Sequence, residues 1–208
     1  GKSLVLIGGR PLVLRVWDAA CRAGELDRVC VATDDERIRA VVEQAGGLAV
    51  MTRADHPSGT DRVAEAVAGF DAGLIVNIQG DEPFIDPGLI DRLVRTLRAD
   101  PAADMATAAT PIRDPRQLSE PSVVKVVWGQ GHRALYFSRA PIPHVRDADV
   151  PASGPLHWRH LGIYAYRRAF LDRLVAAPPC RLEQAEKLEQ LRALDLGCRM
   201  IVLETEQA

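Results

Sequence analysis

With 208 residues, 47% of them apolar and 26% charged, the chain is long enough to bury one substantial core and has the balance of an ordinary globular domain. Its 26 Lys and Arg against 28 Asp and Glu leave a formal charge of -2, so bulk electrostatics gives no reason to expect a nucleic-acid polymer as partner, and any positive charge put to use must be local. No apolar run approaches the ~20 residues of a membrane span. The four cysteines, at 21, 30, 180 and 198, have no C-x-x-C spacing and no nearby His, which argues against zinc and against a disulfide framework and points to a reducing, cytoplasmic setting.

In chain order, RVCVATDD (28–35) predicts a short apolar strand running into carboxylates suited to a helix N-terminus. DERIRAVVEQAGG follows, with Ile38, Val41, Val42 and Ala45 on one helical stripe that stops at Gly46-Gly47. LAVM (48–51) predicts a second strand, and Val63, Ala66, Val67 and Phe70 a second helix. LIVNI is a third strand, and Leu89, Ile90, Leu93, Val94 and Leu97 mark a third helix begun by Asp86-Pro87. Strand and helix alternating through short connections predicts a mostly parallel sheet with helices on both faces. The second half changes character. SVVKVVW and ALYFS predict two strands joined by the turn GQGHR, RDADVPASGP (146–155) a loop, HLGIYAYR (160–167) a strand, RLEQAEKLEQLRAL (181–194) one helix and CRMIVLE (198–204) a last strand. Gly1-Lys2 reads as mid-loop and ETEQA follows a strand with no closing helix, so the expectation is a piece of a slightly longer domain.

Three stretches concentrate polar groups where a ligand would lie. NIQGDEPFI (77–85) ends a core strand with Gln79, Gly80, Asp81 and Glu82. Open α/β sheets bind ligands outside the carboxyl ends of their strands, so Asp81 is placed to reach a hard cation such as Mg²⁺ that keeps phosphate and water as its other ligands. Gly80-Asp81 is also ordinary turn chemistry; the apolar strand ahead and Gln79 beside it favour a site. TRADHPSGTDR (52–62) sets Ser58, Gly59 and Thr60 just before a helix, where exposed N–H groups and hydroxyls can meet a polar ligand. Arg53 and Arg62 add planar forks, although taken by itself the stretch reads better as an N-cap with two solvated arginines. In HLGIY, His160, Gly162 and Tyr164 share one strand face, with the glycine leaving room between imidazole and phenol; a satisfied sheet histidine is the plainer reading. Glu186, Glu189 and Gln190 cluster on one face of the last helix, which by itself means a solvated face. Lys2 and Arg139 are lone cations in loop-like settings, either able to neutralise an anion.

TRADHPSGTDR, NIQGDEPFI, ALYFSRAPIP, RHLGIYAYR and LEQAEKLEQLR, in this order and spacing, resemble the 3-deoxy-manno-octulosonate (Kdo) cytidylyltransferases across essentially the whole chain. HPSGTDR together with QGDEP separates the pattern from that of the CMP-sialic acid synthetases. The resemblance implies a three-layer, Rossmann-like nucleotidyltransferase sheet in a single domain spanning 1–208, with a β-rich dimerisation arm at about 123–160. It implies a cytoplasmic, Mg²⁺-dependent homodimer that joins CTP and Kdo into CMP-Kdo and pyrophosphate for lipopolysaccharide assembly. By motif, Ser58, Gly59 and Arg62 would surround the cytosine, with Arg53 and Thr60 beside them. Asp81 would hold Mg²⁺ against the phosphates, and Lys2 would match the lysine ending a phosphate-binding loop. Gln79, reaching both substrates, would line the Kdo pocket with Arg139, His160, Tyr164, Glu189 and Gln190.

The family's first strand and its arginine-bearing phosphate loop should precede Gly1, and a segment with a second metal-binding Asp should follow Ala208. Loss of a phosphate clamp and a metal ligand removes transition-state stabilisation, so 208 residues alone are expected to give a folded but badly impaired enzyme. Two alternatives share the same residues: a cytidylyltransferase for another acid sugar, such as an 8-amino Kdo analogue, or a truncated, non-catalytic nucleotide- or sugar-binding module. A phosphate-site Lys2 and a metal carboxylate Asp81 alongside Gln79 and Arg139 argue against the second.

Overall fold

The computed structural model describes residues 2–80, 82, 84–146 and 154–206. A short hairpin, β1 (Leu6–Ile7) and β2 (Arg10–Pro11), leads into α1 (Leu12–Cys21). Gly8 and Gly9 turn it with φ of +54° and +76°, a region glycine enters without a Cβ clash. β3 (Cys30–Thr33) and β4 (Leu48–Met51) pair in parallel around α2 (Glu36–Gln44). Asp35 caps that helix, its Oδ1 accepting from Arg37 N at 2.8 Å. α3 (Gly59–Ala66) leads to β5 (Leu74–Ile78), and α4 (Pro87–Ala99) starts where Asp86 Oδ1 accepts from Gly88 N at 2.9 Å, with Pro87 giving up only an N–H the first turn does not use. The stripe Leu89, Ile90, Leu93, Val94 and Leu97 is buried throughout, as its spacing predicts.

The rest of the chain supplies β6 (Met105–Pro111), β7 (Lys125–Trp128), β8 (Ala134–Ser138), β9 (Trp158–Arg167), α5 (Arg168–Ala176), α6 (Arg181–Glu186), α7 (Gln190–Asp195) and β10 (Met200–Glu204). β9 is central. β5 pairs antiparallel with one of its edges and β6 with the other, while β10 runs parallel to β6 beyond. β5, β6 and β10 thus run parallel to one another, with β9 inserted against their direction; of the three first-half strands expected in one parallel sheet, β3 and β4 pair with each other while β5 pairs with β9 instead. The β7–β8 hairpin, inside the expected arm, joins this sheet through Lys125 opposite Arg159. Side chains alternate along β9. Tyr164 and Tyr166 enter one core with Phe170, Leu171 and Leu191, whereas Ile163 and Ala165 enter another with Ala20, Leu89 and Leu93. Helices therefore cover both faces, in three layers.

Among the described residues β3 pairs only with β4 and β5 only with β9, so two strand edges stand open. A cavity of about 1380 Å³ separates them, walled by Val31 and Ala32 of β3, every residue of β5, and apolar side chains of both helix layers such as Trp17, Val63 and Phe70. Accordingly β5 buries only Ile75, while β6 is buried along its whole length.

The single helix expected over 181–194 is two. α6 ends at Lys187, which adopts φ +55° and ψ 48°, and α7 starts again at Gln190. Across the break the Glu183 carboxylate accepts from Arg192 Nε at 2.8 Å and Nη2 at 2.7 Å, both side chains nearly buried. Arg192 also donates to Ala177 O at 3.1 Å. Leu182, at the start of α6, is 45% exposed, whereas Leu188 and Leu191 beyond it are buried. Arg192→Ala strands a buried carboxylate and is expected to cost about 3 kcal/mol in urea unfolding. A loss below about 1 kcal/mol would mean the pair is as weak as a solvated one.

Candidate active site

At the carboxyl ends of β3, β4 and β5 the cavity turns polar. Gly59, Thr60 and Arg62 reach it from the first turns of α3, Gln79 from the end of β5, and His160 and Tyr164 from β9. Arg139, just past β8, and Glu189 and Gln190, at the start of α7, line it too. Three expected residues do not line it. Ser58 is taken up in capping α3, accepting from Asp61 N at 3.2 Å and donating to the Asp61 carboxylate. Arg53 is exposed and directs its Nε to Glu65 at 3.4 Å. Lys2 sits in the 3-10 turn Lys2–Leu4. Asp81 lies outside the described residues; Gly80 and Glu82 on either side of it line the cavity.

Arg62 spans two strand tips, donating through Nη1 to Thr52 Oγ1 at 2.7 Å and pairing with Asp34 at 3.2 Å. Thr60 Oγ1 donates to Glu189 Oε2 at 2.6 Å, tying α3 to α7. Gly162 has a use the sequence did not reveal. A Cβ there would come within 2.8 Å of Gln79 Cδ and Oε1, so the missing side chain makes room for the Gln79 amide rather than a gap between His160 and Tyr164.

His160 is 9% exposed and its Nε2 lies 2.9 Å from Thr107 Oγ1. The Thr107 hydroxyl donates to Ile163 O at 2.7 Å, so its oxygen is left to accept, which makes Nε2 the protonated nitrogen and Nδ1 an acceptor. Burial pushes the imidazole down to about 3 and raises the Tyr164 phenol. Both groups are neutral at neutral pH. They can donate and accept hydrogen bonds but are not poised to exchange protons.

Arg139 is held by the main chain. Its Nε donates to Glu186 O at 2.7 Å, Nη1 to Pro121 O at 2.8 Å and Nη2 to Lys187 O at 3.3 Å. One N–H on each terminal nitrogen is left over, the number that a bidentate carboxylate contact needs. Lys187 also lines the cavity and escaped the sequence reading, because nothing in AEKLEQ marks a helix break.

A family profile described as cytidylyltransferase matches residues 1–200. The 3-deoxy-manno-octulosonate cytidylyltransferase of Syntrophotalea carbinolica is 49% identical, with 100% of this chain and 85% of the relative covered. That of Syntrophobacter fumaroxidans is 52% identical over 95% and 79% respectively. The chain belongs to the 3-deoxy-manno-octulosonate cytidylyltransferase family. Among solved structures, a CMP:2-keto-3-deoxy-manno-octonic acid synthetase complexed with CTP superposes with a TM-score of 0.92 at 42% identity, covering 99% of this chain and 83% of that one. A 4-diphosphocytidyl-2C-methyl-D-erythritol synthase from Anaerococcus prevotii, 16% identical with a TM-score of 0.62, shares the fold alone.

Two outcomes test this cytidylyltransferase site. Unfolded His160 titrates near its ordinary value of 6.5 while the folded imidazole stays neutral to about 3, so the unfolded state binds the extra proton and stability falls as pH drops below 6.5. Between pH 7.5 and 5.5 the unsubstituted chain should lose about 1.4 kcal/mol more than His160→Gln in denaturant titrations. Equal losses would place the imidazole in solvent. Gly162→Ala should displace Gln79 and lower kcat/KM at least ~10-fold, with native circular dichroism. Unchanged turnover would make the Gln79 placement irrelevant.

Proposed function

We propose that this chain transfers CMP from CTP to the anomeric hydroxyl of Kdo, releasing pyrophosphate and supplying CMP-Kdo for lipopolysaccharide assembly. The observation that carries the reading is convergence. The nucleotide-side residues Gly59, Thr60 and Arg62 and the sugar-side residues Arg139, His160, Tyr164, Glu189 and Gln190 line one cavity, with Gln79 among them. Family membership and the likeness to a CTP-complexed synthetase support it.

In the reaction the sugar hydroxyl attacks the α-phosphorus in line, the new P–O bond forms as the bond to pyrophosphate breaks, and the hydroxyl proton passes to solvent. No covalent nucleophile is required, and alignment with charge neutralisation carries most of the rate. Arg139 offers two N–H groups to the acid's carboxylate. His160 Nδ1 accepts from a sugar hydroxyl, the Tyr164 phenol adds a neutral partner, and Glu189, fixed by Thr60, accepts from another hydroxyl. Arg62 and the start of α3 face the base. The nucleotide contacts of Lys2, Arg53 and Ser58 rest on their motifs, since none of the three lines the cavity.

Mg²⁺ is the proposed cofactor. Among the described residues no group of three His, Cys, Asp or Glu could hold a metal. Oxygen donors are what the site offers: Asp81 would bind the ion, between the cavity-lining Gly80 and Glu82, with nucleotide phosphates and water completing the shell. Bound there, the ion would offset phosphate charge. A homodimer through the arm at about 123–160 is also proposed, in keeping with exposed Leu135 and Leu156 on that arm. A cytoplasmic setting accords with the four free cysteines. Among the described residues no helix is long and apolar enough to cross a membrane.

Pyrophosphate release with CTP, Kdo and Mg²⁺ tests the proposal. Release should require all three, and Asp81→Asn should lower kcat/KM at least ~100-fold. Release that ignores Kdo overturns the substrate assignment, and full activity of Asp81→Asn overturns the role of that carboxylate.

A further inference from the structure

Lys125 is the one lysine among the fully buried side chains of the described residues, 0% exposed on β7. Its Nζ donates to Val123 O at 2.7 Å, Arg139 O at 2.6 Å and Glu120 O at 3.1 Å. All three ammonium protons thus go to main-chain carbonyls. Burying a cation in this way is costly, and an apolar side chain of the same length would fill the space at less expense in solvation. What the cation adds is geometry. It fixes the 120–124 turn against the carbonyl of Arg139, and Ser122, Val123 and Val124 of that turn form a wall of the cavity.

The same segments are tied a second time. Glu186 accepts from Ser138 Oγ at 2.6 Å and from Arg139 N at 2.9 Å, while the Arg139 guanidinium returns to Pro121, Glu186 and Lys187 carbonyls. Arg139 is therefore held at its carbonyl by Lys125, at its amide by Glu186 and along its fork by three further carbonyls. Val124 O in turn accepts from His160 N at 2.8 Å, which carries the constraint to β9.

We propose that Lys125 is a positioning residue for the acid-sugar half of the site, setting the place of Arg139 and of the 120–124 wall without touching substrate. The proposal rests on the functional reading above. The nucleotide half, built on α3 and the tips of β3 and β4, takes part in none of these bonds and meets the acid-sugar half through Thr60 and Glu189, so the two substrates should respond differently.

Lys125→Met tests this in the pyrophosphate-release assay, since Met keeps the apolar length and removes every donor. The expected result is a KM for Kdo raised at least ~10-fold, with the KM for CTP within ~3-fold of the unsubstituted chain. A lesion that only reduces the folded population lowers kcat and leaves both KM values alone, and one that loosens the whole sheet raises both; either result overturns the proposal. Ser138→Ala is a milder cut in the same wall, expected to raise the KM for Kdo alone by ~3-fold. If Lys125→Met does not fold, Ser138→Ala decides, and no selective change there overturns the proposal. An unsubstituted chain that turns over CTP without regard to Kdo overturns the functional reading instead, before any variant is compared.

Discussion

The antiparallel insertion of β9 between β5 and β6 places the site. Ile78 of β5 lies opposite Ile163, so the chain leaving β5 at Gln79 comes level with Gly162, and the N-terminal half of β9 continues past the point where β5 stops. A parallel strand could not do this, because its own carboxyl end would lie beside that of β5. The register sets His160 and Tyr164 on one face at the mouth of the sheet, and only a glycine at 162 lets the Gln79 amide settle between neighbouring backbones. The irregularity between Thr107 and Ala108 opposite the same residues brings Thr107 under His160 and fixes the imidazole tautomer.

Around that register the site is stiffened by polar groups that contact other polar groups more than solvent. Thr60 to Glu189 joins α3 to α7; Glu183 to Arg192 holds α7 against α6; Lys125 and Arg139 gather the carbonyls of the 120–124 turn and of the α6 end. The Thr60 and Arg139 links run between elements far apart in sequence, whereas Glu183 and Arg192 bridge consecutive helices. Buried hydrogen bonds of this kind add modest net stability but penalise alternative arrangements heavily, because a broken one leaves a desolvated charge or amide behind. The result is a cavity whose Arg139 side is set by main-chain carbonyls, with the remaining donors of Arg139 determined by what its other N–H groups already hold.

The open edges of β3 and β5 belong to the same geometry. Their tips carry Asp34, one of the partners of Arg62, and Gln79, while below the tips their apolar side chains border the cavity with only partial burial. Strand edges flanked by apolar walls on both layers resemble an interior position of a sheet in chemistry, and the half-burial of β5 against the full burial of β6 measures the difference.

The sequence by itself determined the elements with strong local signals: Asp35, Ser58 and Asp86 as helix caps, the α4 stripe, LIVNI and HLGIYAYR as strands, and the shared face of His160 and Tyr164. Side-chain period and capping chemistry act within a few residues, so they can be read in one dimension. β6 was silent because MATAATP is built of small residues with little alternation, and its strand state comes from burial between β9 and β10. α1 and α5 were likewise not anticipated. Most of the candidate site could be named from motifs, but its contacts could not: that Gly162 serves Gln79 and that Lys125 pins Arg139 each depend on residues brought together from distant segments. Those were decided only by the tertiary structure, since a hydrogen bond across 14 or 129 positions of chain has no local signature to read.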